Sequence, residues 1–240
     1  MPRLILSDIH ANLEALEAVL ADAEGQYDRI ICLGDLVDYG ADPNAVVEWA
    51  RAHVAVAVRG NHDRACAGID SLEDYNAAAQ RSAEWTRSVL SEENAGFLRN
   101  LPRGPLRYED YDLAHGSPAD EDEYLATAFE ASNMLPFLQA RATFFGHTHL
   151  QGGFLVTRGG VRAIAPKGTL ELEPRHFFLL NPGAVGQPRD GDPRAAYAFY
   201  WAEEHRIEYR RTAYDVEKAA AKIRAAGLPD SLAVRLFHGK

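Results

Sequence analysis

The chain has 240 residues, 47% of them hydrophobic, which is enough to bury a full core and too apolar a balance for disorder. Its 25 Lys and Arg stand against 35 Asp and Glu, a formal charge of −10, and that sign argues against a protein built to neutralise an extended nucleic acid. The first apolar run, Leu4-Ile5-Leu6, is too short for a secretory leader, no run is long enough to cross a bilayer, and Cys32 and Cys66 make neither a disulfide framework nor a thiolate metal knuckle. A cytoplasmic protein working away from membranes is therefore expected.

Residues 3–8 read as a strand ending in Ser7-Asp8-Ile9-His10. Asn12 then caps a helix in which Leu13, Leu16, Val19 and Leu20 recur at helical spacing. The apolar run Arg29-Ile30-Ile31-Cys32-Leu33 is a second strand and delivers Gly34-Asp35-Leu36-Val37-Asp38-Tyr39-Gly40. Asp42-Pro43 opens a helix, with proline where helices tolerate it, and a third strand over 54–58 leads to Arg59-Gly60-Asn61-His62-Asp63. This alternation predicts a parallel sheet with crossover helices. Residues 64–104 change character: helices are predicted over 71–89 and 91–100, read as a helical cap inserted into one domain spanning 1–240. Strands resume at 106–109 and 111–114, the latter ending in His115-Gly116. An acidic loop at 120–123, read as a solvated face, and a helix at 130–140 precede the strand 142–145 and Gly146-His147-Thr148-His149. From 152 to 211 the pattern is mostly strand, and C-terminal helices follow over 213–240, with Asp215 as a cap.

The polar residues gather at strand exits: Asp8 and His10, Asp35, Asn61 and His62, His115, His147 and His149. In an open α/β sheet such exits converge above a rigid floor. Asp8 with His10, and His147 with His149, are spaced by two, which points both members of a pair the same way if strand geometry persists. Carboxylates and neutral imidazoles suit Mn, Fe, Zn or Ni, and the lack of thiolates argues against a closed structural zinc site. One metal cannot use so many donors, so two metals sharing a carboxylate is the economical arrangement. Such a pair activates water and holds the oxygens that gain charge in displacement at phosphorus. Taken singly, an Asp or Asn after a strand is usually a turn former or helix cap. His53, His176, His205 and His238 are read as ordinary histidines, but five of the nine histidines fall at matching strand ends, and coincidence is a poor account of those.

In this order the blocks Asp8-Ile9-His10, Gly34-Asp35-Leu36-Val37-Asp38, Gly60-Asn61-His62-Asp63, His115-Gly116 and Gly146-His147-Thr148-His149 resemble those of the calcineurin-like metallophosphoesterase superfamily. The stretch from Asn181-Pro182-Gly183 to Arg189-Asp190 resembles that superfamily's small bacterial and archaeal phosphodiesterases. The resemblance implies an α/β fold, a four-layer αββα sandwich of two mixed β-sheets flanked by helices, with metals at its upper edge. It implies that Asp8, His10, Asp35 and His149 hold one metal and that Asp35, Asn61, His115 and His147 hold the other, Asp35 being the bridge. His62 matches the histidine that protonates the leaving oxygen or stabilises the transition state. Asp38 matches the acid that orients it, and a neighbouring carboxylate keeps a histidine protonated. Asn61, Arg59 and Arg189 are candidate substrate contacts, although Arg59 equally suits a surface edge and Arg189 a structural role.

One position departs from the pattern. The superfamily's protein Ser/Thr phosphatases and dinucleoside tetraphosphate hydrolases carry Arg where this chain has Tyr39, and an Arg there grips a terminal phosphate in two places. Its loss favours a phosphodiester, which has fewer charged oxygens. The resemblance thus implies a dinuclear metal-dependent phosphodiesterase acting on small or nucleotide-like phosphoesters through a metal-held hydroxide. The alternatives are a phosphomonoesterase or nuclease, and an inactive scaffold, against which the intact ligand set speaks.

Overall fold

The computed structural model describes residues 1–73, 75–165 and 168–240. The first part alternates β1 (Arg3–Leu6), α1 (Leu13–Ala23), β2 (Arg29–Cys32), α2 (Pro43–His53), β3 (Val54–Ala57) and α3 (Asn61–Cys66), and then adds α4 (Ala77–Val89) and α5 (Glu92–Arg99). Next come β4 (Leu106–Tyr108), β5 (Tyr111–Leu113), α6 (Ala128–Ser132), a 3-10 turn (Leu135–Phe137) and β6 (Ala142–Phe144). The remainder is β7 (Gly152–Thr157), β8 (Gly160–Ile164), β9 (Thr169–Glu171), β10 (Phe177–Asn181), β11 (Ala195–Trp201), β12 (Arg206–Thr212), α7 (Val216–Ala225) and α8 (Asp230–Leu236).

The strands form two six-stranded mixed sheets, ordered β3-β2-β1-β11-β12-β9 and β4-β5-β6-β10-β7-β8. Their side chains alternate between two cores, as the period of a strand requires. In the first sheet Leu4, Leu6, Ile30, Cys32, Tyr197 and Phe199 face a core shared with α1 and α2, while Ile5, Ile31, Ala198 and Tyr200 face the second sheet. In the second sheet Phe144, Phe178 and Leu180 face the first, while Phe145 and Leu179 turn outward to Ala131 of α6. Helices, sheet, sheet, helix is the four-layer sandwich that the sequence implied. Tyr111 and Phe144 meet Tyr200 edge-on across the sheet interface, with ring centroids 5.2 and 4.9 Å away. Such aromatic pairs contribute about 0.5–1.5 kcal/mol each beyond the area they bury.

Strand direction places the chemistry. β1, β2 and β3 run parallel, as do β5, β6 and β10, so the exits of each set lie along one edge of its sheet. The two edges form one rim: Val185 N–H, after β10, donates to Ser7 O at 3.0 Å, and His147 N–H, after β6, donates to Asp8 Oδ1 at 3.2 Å.

Local departures from the sequence reading have physical causes. The helix expected over 71–89 begins only at Ala77, where the Asn76 side chain accepts from Ala78 N and Ala79 N; of its expected first turns, Asp74 lies outside the described residues. The helix expected over 130–140 is α6 followed by the 3-10 turn, because Pro136 has no N–H for a continuing α-helix. β9 was not expected from the sequence; it is a three-residue edge strand against β12, too short to show an alternation. The carboxylate of Asp42, at the start of α2, makes no capping bond and pairs instead with Lys222 at 2.8 Å.

Candidate metal centre

Convergence of the paired residues does not come from persisting strand geometry. β1 stops at Leu6 and β6 at Phe144, and Asp8, His10, Asp35, His147 and His149 all lie beyond their strands with φ between 49° and 63°. Non-glycine residues in the left-handed region carry a cost of about 1–3 kcal/mol each and persist only where surroundings enforce them. Here the enforcement is visible. The Asp63 carboxylate accepts from Gly60 N at 3.0 Å, Asp35 N at 2.9 Å and Leu36 N at 2.8 Å, bracing the loop that carries Asp35. Close approach of these loops leaves no room for a side chain at Gly60, where a Cβ would lie 2.0 Å from Asp35 Oδ1.

The imidazoles are oriented by bonds on their far side. Nδ1 of His10, His115 and His149 meets the carbonyls of Val37, Leu33 and Gln187 at 3.1, 2.7 and 2.5 Å. A carbonyl only accepts, so each Nδ1 carries the proton and each Nε2 can present a lone pair inward. His147 is turned round: its Nε2 donates to Asp122 O at 3.1 Å, which leaves Nδ1 for the centre. Inside the site, His10 Nε2 and His149 Nε2 are only 3.2 Å apart, and His149 Nε2 is 3.2 Å from Asp8 Oδ1. His115 Nε2 lies 3.2 Å from both Asp35 Oδ2 and Asn61 Oδ1. Asp8 Oδ2 and Asp35 Oδ2 are buried with no hydrogen-bond partner.

The donor atoms fall into two groups able to hold a metal ion: Asp8, His10, Asp35 and His149, and Asp35, His115 and His147. Asp35 belongs to both, and Asn61 adjoins the second. Burial drives His10 and His149 down, so they stay neutral, and it drives His147 down to about 3. Burial acts against the carboxylates too, yet neighbouring imidazoles, His115 first at Asp35, outweigh it and hold Asp8 and Asp35 below the usual carboxylate range; Asp35 in turn raises His115 to about 10 against burial, a proton that a cation would displace. Two lone pairs facing each other at 3.2 Å beside two unpartnered carboxylate oxygens repel, and a cation between them relieves the repulsion. The donor set therefore fits a divalent metal.

His62 stands one residue beyond Asn61 in the first turn of α3, and its Nδ1 lies 2.6 Å from Asp38 Oδ2. Burial opposes its charged form, but the Asp35 and Asp38 carboxylates outweigh burial and raise its pKa above the ordinary value. Its Nε2 lies 3.1 Å from Tyr39 Oη. Tyr39 is wedged among Ala79 of α4 and the apolar faces of α7 and α8, so the C-terminal helices help fix the ring. Residues that sequence reasoning singled out less sharply also matter here. Asp63, which by its place after a strand could be only a turn former or cap, is the brace described above. Tyr75 Oη reaches Asn61 Nδ2 at 3.3 Å, and the Tyr124 ring lies on that of His147 with centroids 3.9 Å apart; neither had a sequence signal.

Both candidate arginines are present near the rim with different fates. Arg59 is held by Glu121 in two bonds of 3.0 and 2.8 Å, so its charge is already matched. Arg189 has no carboxylate partner among the described residues and donates to Gln187 Oε1 at 3.0 Å; its charge is felt at His62, Tyr39 and His149. The acidic loop is a solvated face only in part: Asp120 and Asp122 are exposed, but Glu121 is buried against Arg59 and Arg64, and Asp122 pairs with Arg64 at 2.8 Å.

A two-sheet sandwich with this rim of Asp, Asn and His defines a metallophosphoesterase. Residues 1–204 match the family model described as the calcineurin-like phosphoesterase superfamily domain, and the chain belongs to that superfamily. It is 35% identical to an uncharacterized protein of Methanocaldococcus jannaschii, over 98% of this chain and 97% of the other. Among solved structures, a metallophosphoesterase from Sphaerobacter thermophilus aligns over 100% of this chain and 99% of its own with a TM-score of 0.88 at 39% identity. A hypothetical protein from Pyrococcus horikoshii shares the fold at a TM-score of 0.80 and 18% identity, covering 100% of this chain and 98% of its own. Among the described residues, no helix is long and apolar enough to cross a membrane.

Proposed function

We propose that the protein is a dinuclear metal-dependent phosphodiesterase acting on small phosphoesters, with Asp8, His10, Asp35 and His149 holding one cation and Asp35, Asn61, His115 and His147 the other. The observation that carries this reading is the pair of inward lone pairs on His10 and His149, 3.2 Å apart, beside the unpartnered Asp8 and Asp35 oxygens. When bound, such metals supply an activated water and neutralise charge growing on the phosphoryl oxygens. The chain's own part is to position and to move a proton. Asp38 fixes the His62 ring through Nδ1 and keeps it charged, and His62 delivers the Nε2 proton to the leaving oxygen. Tyr39 Oη holds that proton's direction before substrate arrives. The segment 64–104 serves as a cap in a single domain, its α4 closing one side of the site.

A diester is favoured over a monoester by the charge around the site: Tyr39 replaces an arginine, and Arg59 and Arg64 are both matched by acids. A phosphomonoesterase reading has Arg189 in its favour, the rim cation without a carboxylate partner among the described residues. The test is hydrolysis by the Mn-loaded protein of bis(4-nitrophenyl) phosphate, 4-nitrophenyl phosphate and a cyclic nucleotide. Faster turnover of the diester is expected. Faster turnover of the monoester would transfer the assignment to the second reading, and hydrolysis of neither would overturn both.

A further inference from the structure

Next to the metal centre lies a cleft of about 680 Å³, floored by His62, Asn61 and His147. This volume suits a small organic molecule. The walls are unusual in what they offer. Tyr124 has one face on the His147 ring, 3.9 Å away and tilted by 31°, and remains 50% exposed. Its backbone is held, because Glu121 and Asp122 before it are tied to Arg59 and Arg64 and Leu125 after it is buried in the core over the second sheet. Tyr75 and Ile69 also line the cleft, the latter 45% exposed. The one arginine lining the cleft among the described residues, Arg64, is matched by Asp70 at 2.7 Å and Asp122 at 2.8 Å.

A phosphate chain needs free cations, and an ammonium group needs free acids. The charges lining this cleft are spent on one another, Asp70 and Asp122 both on Arg64, and what it leaves open is an aromatic face, an apolar side chain and the neutral polar edges of Ser71 and Asn76. We propose that the cleft receives the organic group of the substrate as a flat, uncharged ring stacked on the open face of Tyr124. Tyr124 is thereby a specificity-determining residue. The assignment rests on the phosphoesterase reading only in that the ring is esterified to the phosphate held at the rim. Stacking of a ring on an aromatic side chain changes affinity about tenfold or more when that side chain is truncated.

The test uses the Mn-loaded full chain and three probes: 2-naphthol as a flat uncharged alcohol, decahydro-2-naphthol as its non-planar counterpart, and naphthalene-2-sulfonate as a flat anion. Binding is read by fluorescence quenching or by NMR shifts of the ligand, and competition is read against bis(4-nitrophenyl) phosphate hydrolysis. The expected result is that 2-naphthol binds and competes, that the other two bind more weakly, that Tyr124→Ala weakens 2-naphthol about tenfold, and that Tyr124→Phe restores it. Equal binding of the planar and non-planar alcohols, stronger binding of the sulfonate, or an unchanged affinity in Tyr124→Ala would overturn the inference. Diester hydrolysis persisting without naphthol binding would sink the ring assignment and leave the phosphodiesterase reading standing. Naphthol binding without any phosphoester hydrolysis would do the reverse.

Discussion

The rim and the cleft wall are neighbours built on opposite principles. Rim residues are mostly buried, Asp8, His10, Asp35, His147 and His149 sit in left-handed backbone, and His10, His115 and His149 are locked by the carbonyls of Val37, Leu33 and Gln187. The wall is half-exposed and is held by side-chain ion pairs, Arg59 with Glu121 and Arg64 with Asp70 and Asp122. Backbone partners cannot be exchanged without refolding the loop, whereas side-chain pairs can be replaced singly. The rim is thus suited to a fixed geometry for chemistry, and the wall to selecting what the geometry is offered. His147 links the two, since one ring nitrogen is bonded to Asp122 O and its ring face carries Tyr124.

If that division holds, a change at the rim has the largest effect. Asp35→Asn weakens both metal groups at once, so metal content measured by elemental analysis and diester hydrolysis should both fall to background. Retention of both would remove Asp35 as the shared ligand. Next comes His62, the proton donor we propose. His62→Ala should keep its metals and lose about 10²- to 10⁴-fold in turnover, the usual contribution of a positioned acid. Loss of metal in that variant would make His62 a ligand instead. Its pH dependence sharpens the point. Because Asp35 and Asp38 raise the His62 pKa, the charged acid persists above the ordinary histidine range and activity is lost as pH rises through the raised value. Asp38→Asn removes one of the two carboxylates, so the alkaline limb of kcat/KM should move to lower pH; an unmoved limb would remove Asp38 from the mechanism. The smallest effect belongs to the wall. Glu121→Gln removes the buried charge that matches Arg59 and Arg64 while keeping an oxygen that can still accept their hydrogen bonds, and should lower the melting temperature by about 2–4 °C for each kcal/mol lost and raise KM more than it lowers kcat. A loss of metal on this change would show that rim and wall are one unit.

The sequence was most legible where function requires a particular atom at a particular place. Asp8, His10, Asp35, Asn61, His115, His147 and His149 were picked out at strand exits and are brought to one rim, and the two mixed sheets with outer helices are as expected. The reason offered for the pairs spaced by two was wrong, because alternation ends with the strand and the convergence comes from left-handed loops. Asp and His enter such backbone more readily than most residues with a side chain, but the local sequence does not impose it; at Asp35 it is imposed by the Asp63 brace and the tight approach at Gly60.

What the sequence determined by itself is what a strand's period and a motif's order carry: two cores from alternating side chains, and a set of donors suited to a divalent metal. Tertiary structure alone decided the rest. It brought Arg59 to Glu121 across 62 residues of chain, pressed Tyr39 between α4, α7 and α8 until its hydroxyl met His62, and laid Tyr124 on His147. Those contacts join segments with no shared pattern, and a side chain's partner there depends on how the layers pack, which no local spacing encodes.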